Sequence, residues 1–472
     1  MTPLKDLKAF APAAAPAQGE WFGHPKGLYV LFFTEMWERF SYYGMRALLV
    51  LYMTKVLIVQ ADQGMTVFGY AGIRAAIQWF VHRMGMSGTI SVQALSSQIY
   101  GLYTGFVYFT PFFGGILADR VFGQRKSVYI GGVLMAIGHF LMAVQSMFFP
   151  ALLFLILGNG CFKPNISTQV GLLYPEGDHR RDSAFTIFYM GINLGAFFSP
   201  LVCGTLGQTV GWDWGFGAAG VGMLVGLAIY HFGKRLLPPD QITQKAAQSG
   251  PVQKVETTAA EWKAIGALVF LCIVNIVFWA AYEQQGNTLQ LWADQNTSWR
   301  FFGVTLPSTW YQSFNPLFIF LFAPVMDMFW GWQNKRGQEP SSVTKMGIGS
   351  LLLGASFVIM IAASRVVAPD AKGSLFWLVM TTWILTMGEL YLSPIGLSLV
   401  TKIAPARMVS MLMGMWFLSS FFGNYLAGFI GGYYNVMTKE AFFALLTGLG
   451  VGSSLIFFAA NKPLRKGLGH EI

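Results

Sequence analysis

The chain has 472 residues, of which 54% are hydrophobic and only 11% charged, and its mean hydropathy is +0.51. A soluble domain of that composition would present too apolar a surface to water, so the chain is read as a polytopic membrane protein. A formal net charge of +10 invites a nucleic-acid role, but the cations cluster in alternate connections between apolar segments, which is a topology signal.

Residues 1–25 are rich in Ala, Pro and Lys and lack the apolar run of a cleavable signal, so they are expected to form a disordered cytoplasmic tail. Apolar segments follow at about 27–54, 97–118, 126–148, 150–174, 184–206, 214–234, 262–292, 309–330, 344–365, 374–401, 407–433 and 440–461. Each approaches the roughly 20 residues that a span requires, which predicts an all-α protein with 12 transmembrane helices. Lys26, Arg120, Arg125, Lys126, Arg180, Arg181, Lys335, Arg336 and Lys402 fall on one side of this arrangement. By the positive-inside rule that side, and both termini, are cytoplasmic.

The first segment carries Glu35, Glu38, Arg39, Tyr42, Tyr43 and Arg46. At a helical step of about 100°, Glu35, Arg39, Tyr42 and Arg46 lie within roughly 60° of one another. Charges at mid-membrane cost about 2.5–3.5 kcal/mol each for Asp, Lys or Arg, so this stripe must pair or line a wet cavity. It is either a salt-bridge cluster that only fixes packing or a proton and substrate site; the second is favoured.

The connection over 55–96 is long and external, with an amphipathic stretch from Phe68 to Met84 inside a segment of about 66–90. Such a helix lies at the interface or caps the outer mouth. His82, on this stretch, is a solvated loop residue or a pH sensor.

The second segment ends in Gly114-Gly115-Ile-Leu-Ala-Asp119-Arg120-Val-Phe-Gly123, with Arg125 and Lys126 following. Its glycines permit a tight turn, and Asp119 is read as conformational hardware at the cytoplasmic edge. That run resembles the loop signature of the major facilitator superfamily. In the fourth segment Lys163 is a lysine deep in apolar sequence, followed by Pro164, which is expected to break or kink the helix. A charge run, residues 174–182, reads as a solvated connection. Asn193, in the fifth segment, is either helix–helix glue or a ligand contact.

Polar residues 236–261 form a cytoplasmic linker between two six-helix bundles, 26–235 and 262–462, with 463–472 as a cytoplasmic tail. Late in the seventh segment Glu283 lies at the same outward depth as Arg46. Their pairing across the halves would make an outer gate; separate partners are the alternative. Asn315 is followed by Pro316, read as helix-breaking, and Glu389 is a lone carboxylate in the tenth segment. Cys161, Cys203 and Cys272 have no paired or metal-ligand spacing and are read as packing residues. Neither the six histidines nor any nucleophile–base set supports an enzyme.

Four motifs together, Glu35-xx-Glu38-Arg39-Phe-x-Tyr42-Tyr43, Lys163-Pro-Asn165, Phe188-Tyr-xx-Ile-Asn193-x-Gly195 and Gly388-Glu389-xx-Ser393-Pro-x-Gly, resemble the proton-dependent oligopeptide transporter family of the major facilitator superfamily. Many bacterial members carry two further spans between the halves, for which the linker is too short. The resemblance implies a proton-coupled symporter of di- and tripeptides, importing across a bacterial-type inner membrane by alternating access, with protons as coupling ion and no cofactor or metal. A monomer without nucleic-acid partners is expected. Proton coupling is assigned to Glu35, Glu38, Arg39, Arg46, Lys163 and Glu283, and gating to Arg46, Glu283 and Asp119. By the same resemblance Arg39 and Lys163 hold the peptide carboxylate, and Asn193, Asn315 and Glu389 its amino end. Tyr42, Tyr43, Tyr108, Trp279, Trp416 and Ser420 line the side-chain pockets. A zwitterionic peptide needs such opposed poles on physical grounds alone.

Overall fold

The computed structural model describes residues 19–85, 88–175, 177–240, 258–368, 371–405 and 408–468. Most of the expected N-terminal tail, and the linker over 241–257, lie outside the described residues.

A two-residue hairpin, β1 (Glu20–Trp21) with β2 (His24–Pro25), leads into α1 (Lys26–Tyr52). The short α2 (Tyr70–Arg83) is followed by α3 (Val92–Leu117), α4 (Gln124–Met142), α5 (Phe148–Leu172), α6 (Arg180–Ser199) and α7 (Trp212–Gly233). Past the linker come α8 (Ala259–Tyr282), the short α9 (Thr288–Gln295), a hairpin of β3 (Arg300–Phe301) with β4 (Val304–Thr305), then α10 (Phe314–Lys335), α11 (Ser342–Val366), α12 (Phe376–Ile403), α13 (Val409–Gly431) and α14 (Lys439–Leu468). Among the described residues, ten helical stretches are long and apolar enough to cross a membrane. The remaining long helices, α4 and α13, are diluted by Gln124, Arg125, Lys126 and His139 in one and by serines, glycines and Asn424 in the other.

Helix α1 outruns its expected end. It passes through a π turn at Met53–Leu57 and continues to Asp62; Thr54 bonds back to the carbonyls of Val50 and Leu51 at 2.8 and 3.1 Å, the kind of local competition that widens a turn. Lys55 on this extension reaches Asp294 in the second half at 2.7 Å. The seventh segment, read as one span, is broken: α8 ends at Tyr282 and a 3₁₀ turn covers Glu283–Gly286. Asn287, at φ −113° and ψ −97°, then starts α9.

Pro316 does not break its helix, and Pro164 does not end its own. Pro316 falls in the first turn of α10, where its missing N–H has no helical partner to lose, so it opens that helix. Pro164 sits within a helix that continues to Leu172. At the other end of the chain α14 runs past the expected boundary at 462 to Leu468 with Pro463 inside it; only the last turn is affected, where carbonyls can hydrate.

The charge run after α5 is a clasp and not a free solvated loop. Arg180 binds Asp178 at 2.8 Å and Glu20 at 2.8 Å, holding the β1–β2 hairpin, while buried His24 meets the Tyr174 hydroxyl at 2.8 Å. The guanidinium of Arg180 keeps the Asp178 carboxyl at about 2, below the ordinary range.

The two halves are joined at the end that carries α2 and α9. Ser97 donates to Asn287 at 2.9 Å and Gln93 to the Gly431 carbonyl at 2.9 Å. Gln208 donates to Ser308 at 2.9 Å, Trp310 to Thr205 at 2.9 Å and Ser313 to the Phe197 carbonyl at 2.7 Å. Phe80 of α2 packs its ring against Tyr425 and Phe429 of α13 at 5.7 and 6.4 Å, so this amphipathic helix lies across the joined end. Backbone meets backbone between α3 and α13, where a Cβ on Gly101 would fall 2.6 Å from the Gly428 Cα. Gly428→Val must therefore wedge the halves apart there. Overpacking of this kind costs about 1–3 kcal/mol, and a melting temperature several degrees lower is the expected result in a thermal unfolding assay; an unchanged midpoint would show that this seam yields freely.

Candidate functional site

Helix α1 is the most enclosed of the long helices: 67% of its apolar window is buried, against 11% for Ser308–Lys335. Its charged stripe faces inward. Arg39 lies 3.3 Å from Glu35 one turn back and grips Glu38 through both Nε and Nη2, the latter at 2.7 Å. Nη2 also donates to Asn159 Oδ1 at 3.2 Å, while the Asn159 amide donates to the Val107 carbonyl at 2.8 Å. Carboxylate and amide partners thus satisfy a guanidinium that is 2% exposed, as burial of a charge demands.

Arg46 forms a buried ion pair with Glu283 and donates from Nε to the Tyr100 hydroxyl at 2.7 Å. Its guanidinium also faces the rings of Tyr43 and Tyr100 at 5.9 and 5.7 Å. The 3₁₀ turn that ends α8 is what carries Glu283 to this position.

On α5, Lys163 places its ammonium 4.7 Å above the ring of Tyr108, and among the described residues no carboxylate lies within ion-pair distance of it. Across the halves, Glu389 accepts from the Tyr282 hydroxyl at 2.6 Å and from the Asn315 amide at 2.9 Å. Asn315 also donates to Thr386 at 3.0 Å. No cation among the described residues pairs with Glu389.

These groups enclose a cavity of about 280 Å³. Arg39, Tyr43, Arg46, Tyr108, Lys163, Asn193, Trp279, Glu283, Asn315, Glu389, Trp416 and Ser420 all line it, so residues from eight different helices converge as the motifs implied. Trp416 fits because Gly396 on α12 has no side chain; a Cβ there would lie 2.1 Å from the indole. Asn193 bonds to the Tyr189 carbonyl on its own helix at 3.0 Å and presents itself to the cavity, so its hydrogen bond is not glue between helices.

One expected lining residue is placed elsewhere. Tyr42 does not line the cavity: it is buried, its ring packs under Arg39 at 5.1 Å and edge-on to Tyr43, and its hydroxyl has no partner. Adjacent residues on a helix are about 100° apart, so only one of the tyrosine pair can face the lumen. Glu35 and Glu38, expected as coupling groups and not as lining ones, stand behind Arg39. Asp119, expected at the membrane edge and outside the substrate site, lies in a π turn at the end of α3 and accepts from Gln124 at 3.4 Å.

Several wall residues had no assignment from sequence: Tyr189, Gln285, Gln312, Ser393, and Tyr282 with its bond to Glu389. Tyr282 and Gln312 stand beside recognised positions, which was the available signal. Asn159 had the weaker one of an amide between two glycines.

The balance of charge is simple. Arg46 pairs with Glu283 and Arg39 with two carboxylates, Glu38 and Glu35, which leaves Lys163 on one wall and Glu389 on the other outside any ion pair among the described residues. The cavity is therefore an open dipole in apolar surroundings. No group of three or more His, Cys, Asp or Glu suited to a metal occurs among the described residues.

A sequence model described as the POT family matches residues 125–252 and 240–446. The peptide transporter YePEPT of Yersinia enterocolitica subsp. palearctica is 37% identical over 89% of this chain and 89% of its own length. A di-/tripeptide transporter of Lactococcus lactis subsp. cremoris is 33% identical over 95% of this chain and 97% of its own. Among solved structures, a peptide transporter POT in complex with sulfate superposes with a TM-score of 0.82 at 33% identity, over 96% of this chain and 98% of that one.

Proposed function

The chain belongs to the POT family, and from that premise we propose that it is a proton-coupled symporter of di- and tripeptides. It works by alternating access in the inner membrane of a bacterium, as a monomer with twelve spans and both termini in the cytoplasm. The observation that carries this reading is the pair of unmatched, opposite charges, Lys163 and Glu389, on facing walls of one cavity between two halves.

A peptide zwitterion supplies the missing partner for each. Its carboxylate goes to Lys163, with Arg39 at hand, and its ammonium to Glu389, flanked by Asn315 and Asn193. Charge-assisted hydrogen bonds of this kind are worth about 1.5–3 kcal/mol each, enough to orient the ligand. The aromatic walls, Tyr43, Tyr108, Trp279 and Trp416, give apolar contact without strict direction, which suits varied side chains. A volume of about 280 Å³ is at the small end of ligand pockets and favours short peptides.

The joined end is the external one, so this conformation opens toward the cytoplasm. Proton arrival at Glu283 neutralises it and frees Arg46, weakening the external seam. Protonation of Glu35 or Glu38 changes their hold on Arg39 and, through it, the field at Lys163, coupling proton movement to peptide release. Relatives that move nitrate have no use for an anionic pole, and Glu389 argues against that cargo.

Purified protein in liposomes should accumulate labelled dialanine when an inward proton gradient is imposed, and a protonophore should abolish that accumulation. Unlabelled di- and tripeptides should compete, while free amino acids, nitrate and pentapeptides should not. Uptake indifferent to the gradient, or competition by nitrate alone, would remove the proposal.

A further inference from the structure

A second cavity, larger than the central one, lies outside the site. It is an apolar groove of about 900 Å³ on the outward surface of the first half, walled by α1, α4, α6 and α7. We propose that it seats one phospholipid of the external leaflet, whose headgroup carries a free ammonium.

Depth is the first reason. Along α7 the groove runs from Asp213 to Val225, about 18 Å at 1.5 Å per residue. One leaflet of a hydrocarbon core about 30 Å thick is roughly 15 Å. The other walls agree: Met36 and Phe40 lie near the middle of α1, Phe140 in the last turn of α4, and Leu206 beyond the end of α6. The walls therefore lie mainly in the half of the span that contains Asp213, with Met36 and Val225 at its middle.

Shape is the second. Phe140 is shared with a neighbouring apolar groove of about 400 Å³ between α4 and α7. Its ring rests on Gly220, where a Cβ would lie 2.9 Å from it. Two furrows flank one ridge, as the two chains of a diacyl lipid require. At Gly217 nothing lies within 4 Å of where a Cβ would sit, so the larger furrow is open at its floor.

Charge is the third. Asp213 is the one ionisable residue on the wall; it is exposed, and no cation among the described residues pairs with it. Beside it Trp214 is 61% exposed, at the depth where indoles meet headgroups. A carboxylate there attracts an ammonium and repels a headgroup whose only charge is phosphate, while the indole N–H donates to phosphate or ester oxygen.

The test is independent of transport. Purified protein is incubated in detergent with equimolar phosphatidylethanolamine and phosphatidylglycerol, and retained lipid is identified by native mass spectrometry. Ethanolamine lipid is expected in about tenfold excess, the equivalent of 1.4 kcal/mol. Asp213→Asn should bring the two to parity, and Gly217→Leu, which fills the furrow without touching the central cavity, should reduce both. Dialanine uptake by the variants serves as the check that they are folded. Equal retention by the unaltered protein, a preference that survives Asp213→Asn, or undiminished lipid on Gly217→Leu each overturns the proposal.

Discussion

Glu283→Gln is expected to reduce uptake driven by a proton gradient at least about tenfold, equivalent to 1.4 kcal/mol or more in the rate-limiting barrier, while peptide counterflow without a gradient persists. Glu283 is 2% exposed and its partner Arg46 8%. Removing one partner of a buried pair leaves an uncompensated charge, at a cost of about 3–5 kcal/mol. Glutamine keeps a hydrogen-bond acceptor toward Arg46 but can neither hold it by charge nor exchange a proton. The seam between the halves then loses its ionic tie, and its opening no longer depends on protonation. Exchange needs only the rocking of the halves around bound peptide, which Ser97–Asn287, Gln93–Gly431 and Gln208–Ser308 still bias toward closure. Full gradient-driven uptake by this variant would remove Glu283 from the coupling step, and equal loss of both activities would assign it a packing role.

Glu389→Gln should act on recognition instead. Loss of a charge-assisted contact to the peptide ammonium is worth about 1.5–3 kcal/mol, or roughly 10- to 150-fold in apparent affinity for dialanine. Because the glutamine oxygen still accepts from Tyr282 and Asn315, the wall keeps its shape. N-acetyl-dialanine, which has no ammonium, should lose nothing, so the ratio of KM values for the two ligands is the quantity to measure. An unchanged ratio would mean that the amino end is held elsewhere.

Much of this site was legible before any coordinates because the membrane makes charge conspicuous. A carboxylate or lysine in an apolar segment has to be matched or used, which singled out Glu35, Glu38, Arg39, Arg46, Lys163, Glu283 and Glu389. Depth counted along the helices was enough to pair Arg46 with Glu283 across 237 residues. Rotation was harder to read. A stripe about 60° wide names a face, yet whether Tyr42 or Tyr43 meets the lumen depends on how α1 is turned against α3 and α5. The same limit hid Tyr282, whose hydroxyl reaches Glu389 only because α8 and α12 pack with that register.

Arg39 shows the difference most plainly. In the sequence it stood on a stripe with Glu35 and Glu38, and the family resemblance made it a holder of the peptide carboxylate. In the fold it spends its Nε and Nη2 on Glu38, Glu35 and Asn159, and among the described residues Nη1 alone makes no hydrogen bond. Lys163 is left as the freer pole.

Composition and hydropathy determined by themselves that this is a helical membrane protein, where its apolar segments lie and which residues must find partners, since the cost of placing a side chain in lipid is a sum over one segment. The tertiary structure decided who those partners are, that α8 breaks at Glu283, and that Lys163 and Glu389 remain unmatched across one cavity. Pairing is a property of several helices at once, set by their rotation and close approach, and no single segment contains it.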